Sequence, residues 1–174
     1  MEECGSLELV IGLDDAISAL LFILPSYAAN SVPAVFGGGT PIDLGRRFFD
    51  GERVFGSNKT IKGFASGFLA GVFVSVMIGI LFSIGFLVPC TLISIGALVG
   101  DLFGAFVKRR MKLPPGYPLP LLDQLDFVFG GIVIVYPLYR LSSGAFFLIL
   151  LVTPAIHLLA NMIAYLLGLK GNFW

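Results

Sequence analysis

An all-α integral membrane protein with about five transmembrane helices, and two cytoplasmic loops that together form a polar site, is the fold the sequence predicts. Three observations predict it. The chain is 57% hydrophobic and 13% charged, with a mean hydropathy of +0.96, far from the composition of soluble globular domains. Its uncharged stretches are each near the length of about 20 residues that a bilayer core requires. Its charge is also gathered: residues 43–62 hold eight charged residues and residues 101–126 hold seven, which is 15 of the 22 in the chain.

In chain order the apolar stretches run over about 16–36, 64–86, 87–107, 123–140 and 141–169. The first is interrupted by Asn30 and Pro33, and the fourth has only Phe127 to Tyr139 between its flanking charges. Tight turns separate the second stretch from the third, at Gly85 to Pro89, and the fourth from the fifth, at Leu141 to Gly144. The other two connections are long and charged. Five Lys and Arg residues lie between the first and second stretches and four more at 108–112. Such residues favour the cytoplasmic side, so the long connections are predicted there, with the N-terminus outside and Lys170 inside. No repeat or composition shift divides the chain, and residues 1–174 read as one membrane domain.

A formal net charge of zero argues against a nucleic-acid partner. Glu2, Glu3 and Glu8 stand where a signal peptide would carry positive charge, so no processing is expected. Cys4 and Cys90 are too few for a zinc site or a disulfide framework and read as two inert thiols, with a single bridge between them as the alternative, since the predicted topology puts both on the outer side.

Asp101 opens the chemical reading, because an ionisable residue inside a span costs roughly 2.5 to 3.5 kcal/mol and needs a partner. A buried salt bridge to another helix is one use; a cation or a ligand is another. In a helix Lys108 shares its face about 10 Å further along, and Lys112 continues the stripe if the helix persists. Ala97 and Gly104 lie on that face and allow close approach. Arg109 and Arg110 complete a basic cluster of the kind that anchors a helix end.

Asp123 and Asp126, spaced i and i+3, project from one face of a helix start. Capping accounts for one acid there better than for two. Gly130 and Gly131 thin the same helix where it can meet Ala97 and Gly104, and such a contact would bring three carboxylates together. Three like charges need a cation among them, and oxygen-only ligands favour magnesium before zinc. His157, beside Asn161 at i+4, reads as a packed hydrogen-bonding pair.

The loop at 37–63 carries glycines 37 to 39, whose backbone amides can turn toward an anion, with Lys59 and Lys62 as point charges suited to phosphates. It lacks the Walker A pattern, and a basic loop lying against lipid head groups is the alternative. Asn58-Lys59-Thr60 matches a glycosylation triplet, but its predicted cytoplasmic position excludes a glycan.

Taken in order, Asn30 and Pro33, then Pro41, Asp43 and Gly45, Asn58-Lys59-Thr60 with Gly63, and Gly100-Asp101 resemble the archaeal CDP-archaeol synthase family over nearly the whole chain. Gly100 to Asp126 is also similar to the signature of bacterial phosphatidate cytidylyltransferases. Two departures suit the archaeal lipid instead: Gln124 stands where an arginine is usual, and GYPLPLL replaces a Gly-His-Gly-Gly turn. The resemblance implies a five-span, magnesium-dependent enzyme that joins CTP to an isoprenoid ether-lipid phosphate within the bilayer. It implies that Asp101, Asp123 and Asp126 hold metal. It assigns Asn30, Thr40, Asp43, Asn58, Lys59, Thr60 and Lys62 to the nucleotide, and catalysis to Lys59, Lys62, Asp101, Lys108 and Arg109. The alternative from another class is a small ion- or proton-coupled transporter, which needs ionisable groups along a path through the membrane. A CDP-alcohol phosphotransferase would carry D-G-x-x-A-R, which is absent.

Overall fold

The computed structural model describes residues 13–168, all helix, turn or loop apart from two isolated β-bridges. Six helices succeed one another: α1 Leu13–Ser31, α2 Pro33–Phe36, α3 Ile61–Leu81, α4 Leu87–Arg110, α5 Leu122–Val135 and α6 Ser143–Leu166. Among the described residues four segments are long and apolar enough to cross a bilayer: Asp14–Phe36, Ile61–Leu81, Ile84–Arg110 and Ser143–Leu166. The protein is therefore an all-helical, multi-pass membrane protein.

The first segment breaks at Pro33, whose missing N–H cannot continue the helical ladder, and the one-turn α2 follows at once. Thr60 starts α3 by accepting the Gly63 amide at 3.1 Å, and Ser142 starts α6 by accepting the Ala145 amide at 3.1 Å. A 3-10 turn at Ile84–Phe86 links α3 to α4. Pro89 then falls in the first turn of α4, where no intrahelical N–H is lost.

The fourth predicted helix is present but short, and it still returns the chain to the end opposite the cavity, where the Ser142 hydroxyl at the start of α6 donates to Asp15 at the start of α1. The stretch at 123–140 yields only the 14 residues of α5, about 21 Å at helical rise against the roughly 30 Å of a hydrocarbon core. The third span is longer than predicted, extending through Lys108, Arg109 and Arg110, whose positive charges complement the carbonyl end of α4. Lys112 lies beyond that end with φ 57°, so the stripe from Asp101 does not reach it. Cys90 is a buried free thiol, while Cys4 lies outside the described residues.

Glycines set how closely the helices approach. Gly63, Gly67, Gly71 and Ser75 recur every four residues on the buried face of α3. A Cβ on Gly67 would strike the Ala29 carbonyl of α1 and lie 2.9 Å from Leu98 of α4. Between α4 and α5 the backbones touch: a Cβ on Gly130 would stand 2.7 Å from the Gly100 nitrogen and Cα. The expected contact of Gly130 with Ala97 and Gly104 is thus shifted, with Gly130 seated on Gly96 and Gly100 while Gly104 receives the Asp126 side chain. Phe127, Val128, Ala97 and Ile149 fill the core, whereas Leu69, Phe73, Phe103 and Val133 point outward. That apolar exterior is what a lipid solvent calls for.

Candidate active site

One end of the bundle opens into a cavity of ≈ 590 Å³, within the range of about 300 to 1,000 Å³ typical of small-molecule sites. Its charged lining comes from three places: Lys59 just before α3, Asp101, Lys108 and Arg109 on the last turns of α4, and Asp123 and Asp126 at the start of α5. Asn30, Asn58 and Thr60 also line it, as do Tyr27, His157 and Asn161 deeper among the helices.

Lys59 Nζ lies 2.5 and 2.6 Å from the two oxygens of Asp101. Burial works against the Lys59 charge, but Asp101, with Asp126 and Asp123 behind it, outweighs that effect and holds its pKa above the usual lysine value. Asp101 thus makes the intramembrane ion pair that its position demanded, with a loop lysine rather than one on another helix. Lys108 shares the cavity wall with Asp101 but does not pair with it. Two helical turns separate them, and the close seat of α5 on α4 offers Asp123 instead, 2.6 Å from Lys108 Nζ. The same ammonium donates to the Tyr117 carbonyl at 2.8 Å, and Asp123 accepts the Leu119 amide at 3.0 Å. One lysine thereby ties the proline-rich connection to both helices.

Asp126 differs from its neighbours. Among the described residues it enters no ion pair; one oxygen accepts the Phe127 amide at 2.6 Å, and the other packs against Gly104. Arg109 is buried, donates to the Pro114 carbonyl at 3.2 Å, and leaves its Nε without a hydrogen-bond partner. His157 and Asn161 form the expected pair at 3.3 Å, with the imidazole stacked on Phe127.

The loop preceding α3 is folded. Thr60 Oγ1 accepts the Gly38 amide at 3.1 Å, and the Pro41–Thr60 bridge closes the loop's base. Asp43 organises the rest: it pairs with Arg53 and accepts the amides of Gly45, Phe55 and Gly56 at 3.0 to 3.1 Å. Its carboxylate is fully buried. Burial pushes its pKa up, but Arg53 and the three amides prevail and hold it at about 2 instead of 3.8. A carboxylate spent in this way holds the loop together rather than lining the cavity. Thr40 and Lys62 are exposed and also lie off its wall, with the Lys62 stem beside Gly39.

The depressed Asp43 value stabilises the ionised loop by about 2 kcal/mol. That contribution is complete above the unfolded pKa of 3.8 and is lost as pH falls toward 2. Asp43→Asn is therefore expected to speed amide exchange across residues 43–56 roughly 30-fold at neutral pH. The difference from the parent should vanish near pH 2. Hydrogen exchange read by mass spectrometry checks both.

For a divalent cation the donor chemistry fits, since the charged end offers three carboxylates and no thiol. Among the described residues no three acidic, histidine or cysteine side chains gather into one cluster, and lysine ammoniums engage Asp101 and Asp123. Sequence reasoning missed Tyr27 and Tyr117 as lining residues. Tyr27 stands three residues ahead of Asn30 and so shares its helical face, a signal that was present.

Residues 11–174 match the family described as CarS-like, CDP-archaeol synthase. A CDP-archaeol synthase of Pyrococcus furiosus is 43% identical over 164 residues, 91% of this chain and 98% of that one. Another, of Methanococcus aeolicus, is 41% identical over 171 residues, 91% of this chain and 96% of its own. A solved structure of an intramembrane enzyme for archaeal membrane lipids biosynthesis superposes with a TM-score of 0.79 at 37% identity, over 83% of this chain and 93% of that one. With nearly the full length matched and the charged cavity built from the residues that carry the resemblance, the chain belongs to the CDP-archaeol synthase family.

Proposed function

We infer that the protein transfers the cytidylyl group of CTP to an unsaturated archaeal ether-lipid phosphate, giving CDP-archaeol and pyrophosphate. Family membership supports the reaction, and the observation that carries it to this chain is the cavity wall where Lys59, Asp101, Lys108 and Asp123 lie together. A lipid phosphate is largely ionised at neutral pH, its second pKa being about 6. Its oxygen can bond to the α-phosphorus of CTP while the bond to pyrophosphate breaks, and no general base is required. The site need only bring two polyanions together and neutralise the charge that leaves.

Lys59 and Lys108 supply that positive charge once the triphosphate draws them from their aspartates. Arg109 stands behind them with an unused donor. Asn30, Asn58 and Thr60 offer polar groups on the nucleotide side, while Lys62 lies off the wall beside Gly39. Asp101, Asp123 and Asp126 would hold magnesium, which when bound supplies Lewis-acid stabilisation of the departing phosphates. We place the N-terminus outside and the C-terminus with both charged loops in the cytoplasm, the chain acting as one domain, 1–174. The cavity's charge lies at one end of the bundle, where a transport path would need ionisable groups along its length. The family match likewise leaves the transporter alternative without support.

Purified protein given labelled CTP, magnesium and ether- or ester-linked lipid phosphate should release pyrophosphate only with metal present, and most readily with the unsaturated ether lipid. No metal-dependent release with any of these lipids would overturn the assignment.

A further inference from the structure

The nucleotide site leaves one part of the 37–63 loop unused. Residues Leu44 to Arg53 fold back as a small hairpin, closed by the Arg47–Arg53 bridge and by the Phe48 amide donating to the Glu52 carbonyl at 2.8 Å. At its tip Phe49 is 99% exposed, and Leu44 is 62% exposed at its base. The Phe49 ring lies 4.9 Å from that of Phe48, centroid to centroid, and with Leu44 the two give the hairpin a contiguous exposed apolar edge.

The hairpin's height relative to the membrane is fixed by its attachment to α4. Phe48 packs edge-on against Phe106 with ring centroids 5.3 Å apart. Arg110 lies over both rings at 4.8 and 4.9 Å, pairs with Asp50 at 2.7 Å, and donates to the Arg53 carbonyl at 2.6 Å. Phe106 is one turn, about 6 Å, inside the end of the span at Arg110. One turn deeper on the same face, Phe103 is 63% exposed and so faces lipid. The hairpin is thus clamped to the lipid-facing side of α4, at the level where hydrocarbon gives way to head groups.

Charge points to the same neighbour. Asp50 is neutralised by Arg110 and Arg53 by Asp43. Arg46 and Arg47 are exposed, and neither forms an ion pair with a carboxylate among the described residues. Arg47 donates to the Gly51 carbonyl at 2.7 Å. Against these two arginines stands the single carboxylate of Glu52, so the hairpin stays net positive beside an apolar tip, which matches the combination of anionic head group and acyl boundary found at a membrane surface.

We propose that Leu44, Arg46, Arg47 and Phe49 form a foot that seats in the interfacial layer of the bilayer and binds anionic lipid head groups. Through the Asp43 hub the foot is joined to Gly56 and Phe55, which line the cavity. Seating it therefore holds the Lys59 segment at a set depth. This inference rests on the membrane fold and not on the cytidylyl reaction.

The test replaces Trp174, the chain's only tryptophan, by phenylalanine and introduces Phe49→Trp as a reporter. The protein is reconstituted into brominated phosphatidylcholine vesicles with or without phosphatidylglycerol. The expected result is blue-shifted emission that lipid bromine quenches and aqueous iodide does not. Quenching should be stronger with phosphatidylglycerol, and that extra quenching should be lost in Arg46→Gln/Arg47→Gln. Full access to iodide without bromine quenching would place the tip in water and overturn the proposal. Shielding from iodide without bromine quenching would reveal a protein contact and overturn it equally. Bromine quenching indifferent to phosphatidylglycerol and to both arginines would overturn the head-group part.

Discussion

Asp101→Asn is expected to lower turnover by roughly two to three orders of magnitude while leaving the protein folded in detergent. The magnitude follows from other enzymes, where removing one preorganised electrostatic contact costs about 10² to 10³ in kcat. Both Asp101 oxygens are engaged by Lys59 at 2.5 and 2.6 Å, so the substitution removes a full charge from the cavity wall without changing its shape. Breaking a fully buried pair costs about 3 to 5 kcal/mol. Here each partner keeps more than a fifth of its side chain exposed, and Asp126 and Asp123 remain near Lys59 to offset its charge. The fold should therefore survive. Pyrophosphate release and a thermal melt, measured side by side, separate the two effects. Parent-like turnover would make the pair purely structural.

Gly130→Val should cost more in structure than any single charge change at the site. A Cβ at this position meets backbone atoms, the Gly100 nitrogen and Cα at 2.7 Å and the Gly96 carbonyl closer still, and backbone cannot rotate aside as a side chain can. Overpacking of this kind typically costs about 1 to 3 kcal/mol, and more where nothing gives. Either the protein fails to accumulate in the membrane, or α5 moves off α4 and takes Asp123 and Asp126 with it, ending activity. Gly85→Ala is the control, since its Cβ would meet only the Ser83 hydroxyl at an ordinary 3.6 Å. It should melt with the parent. A parent-like melt and turnover for Gly130→Val would show that the α4–α5 contact is not needed.

Much of this arrangement is legible in the chain. Hydropathy locates four spans because a bilayer imposes one length on any helix that crosses it. It finds α5 but overestimates its length, since the uncharged residues just past Val135 read as span but form turn and loop. The ion pairs were less accessible. Sequence spacing relates Asp101 to Lys108 along one helix, but which cation reaches which carboxylate is decided by the loop before α3 and by the seat of α5. Asp43 carries the same lesson. Its place in the family motif assigned it to nucleotide, whereas the structure buries it under Arg53 and three amides. The glycine ladder Gly63, Gly67, Gly71 was open to view and indicates close helix packing on its own.

The shortness of α5 reaches past the protein itself. Phe129 and Val133 turn outward from a helix about 21 Å long, so the lipids beside them must pinch inward or admit water over its end. The protein would then ride more easily in thin membranes than in thick ones. A bulky isoprenoid alcohol phosphate drifting in the leaflet would meet a dimple at α5 that draws its polar end down to the level of Asp126.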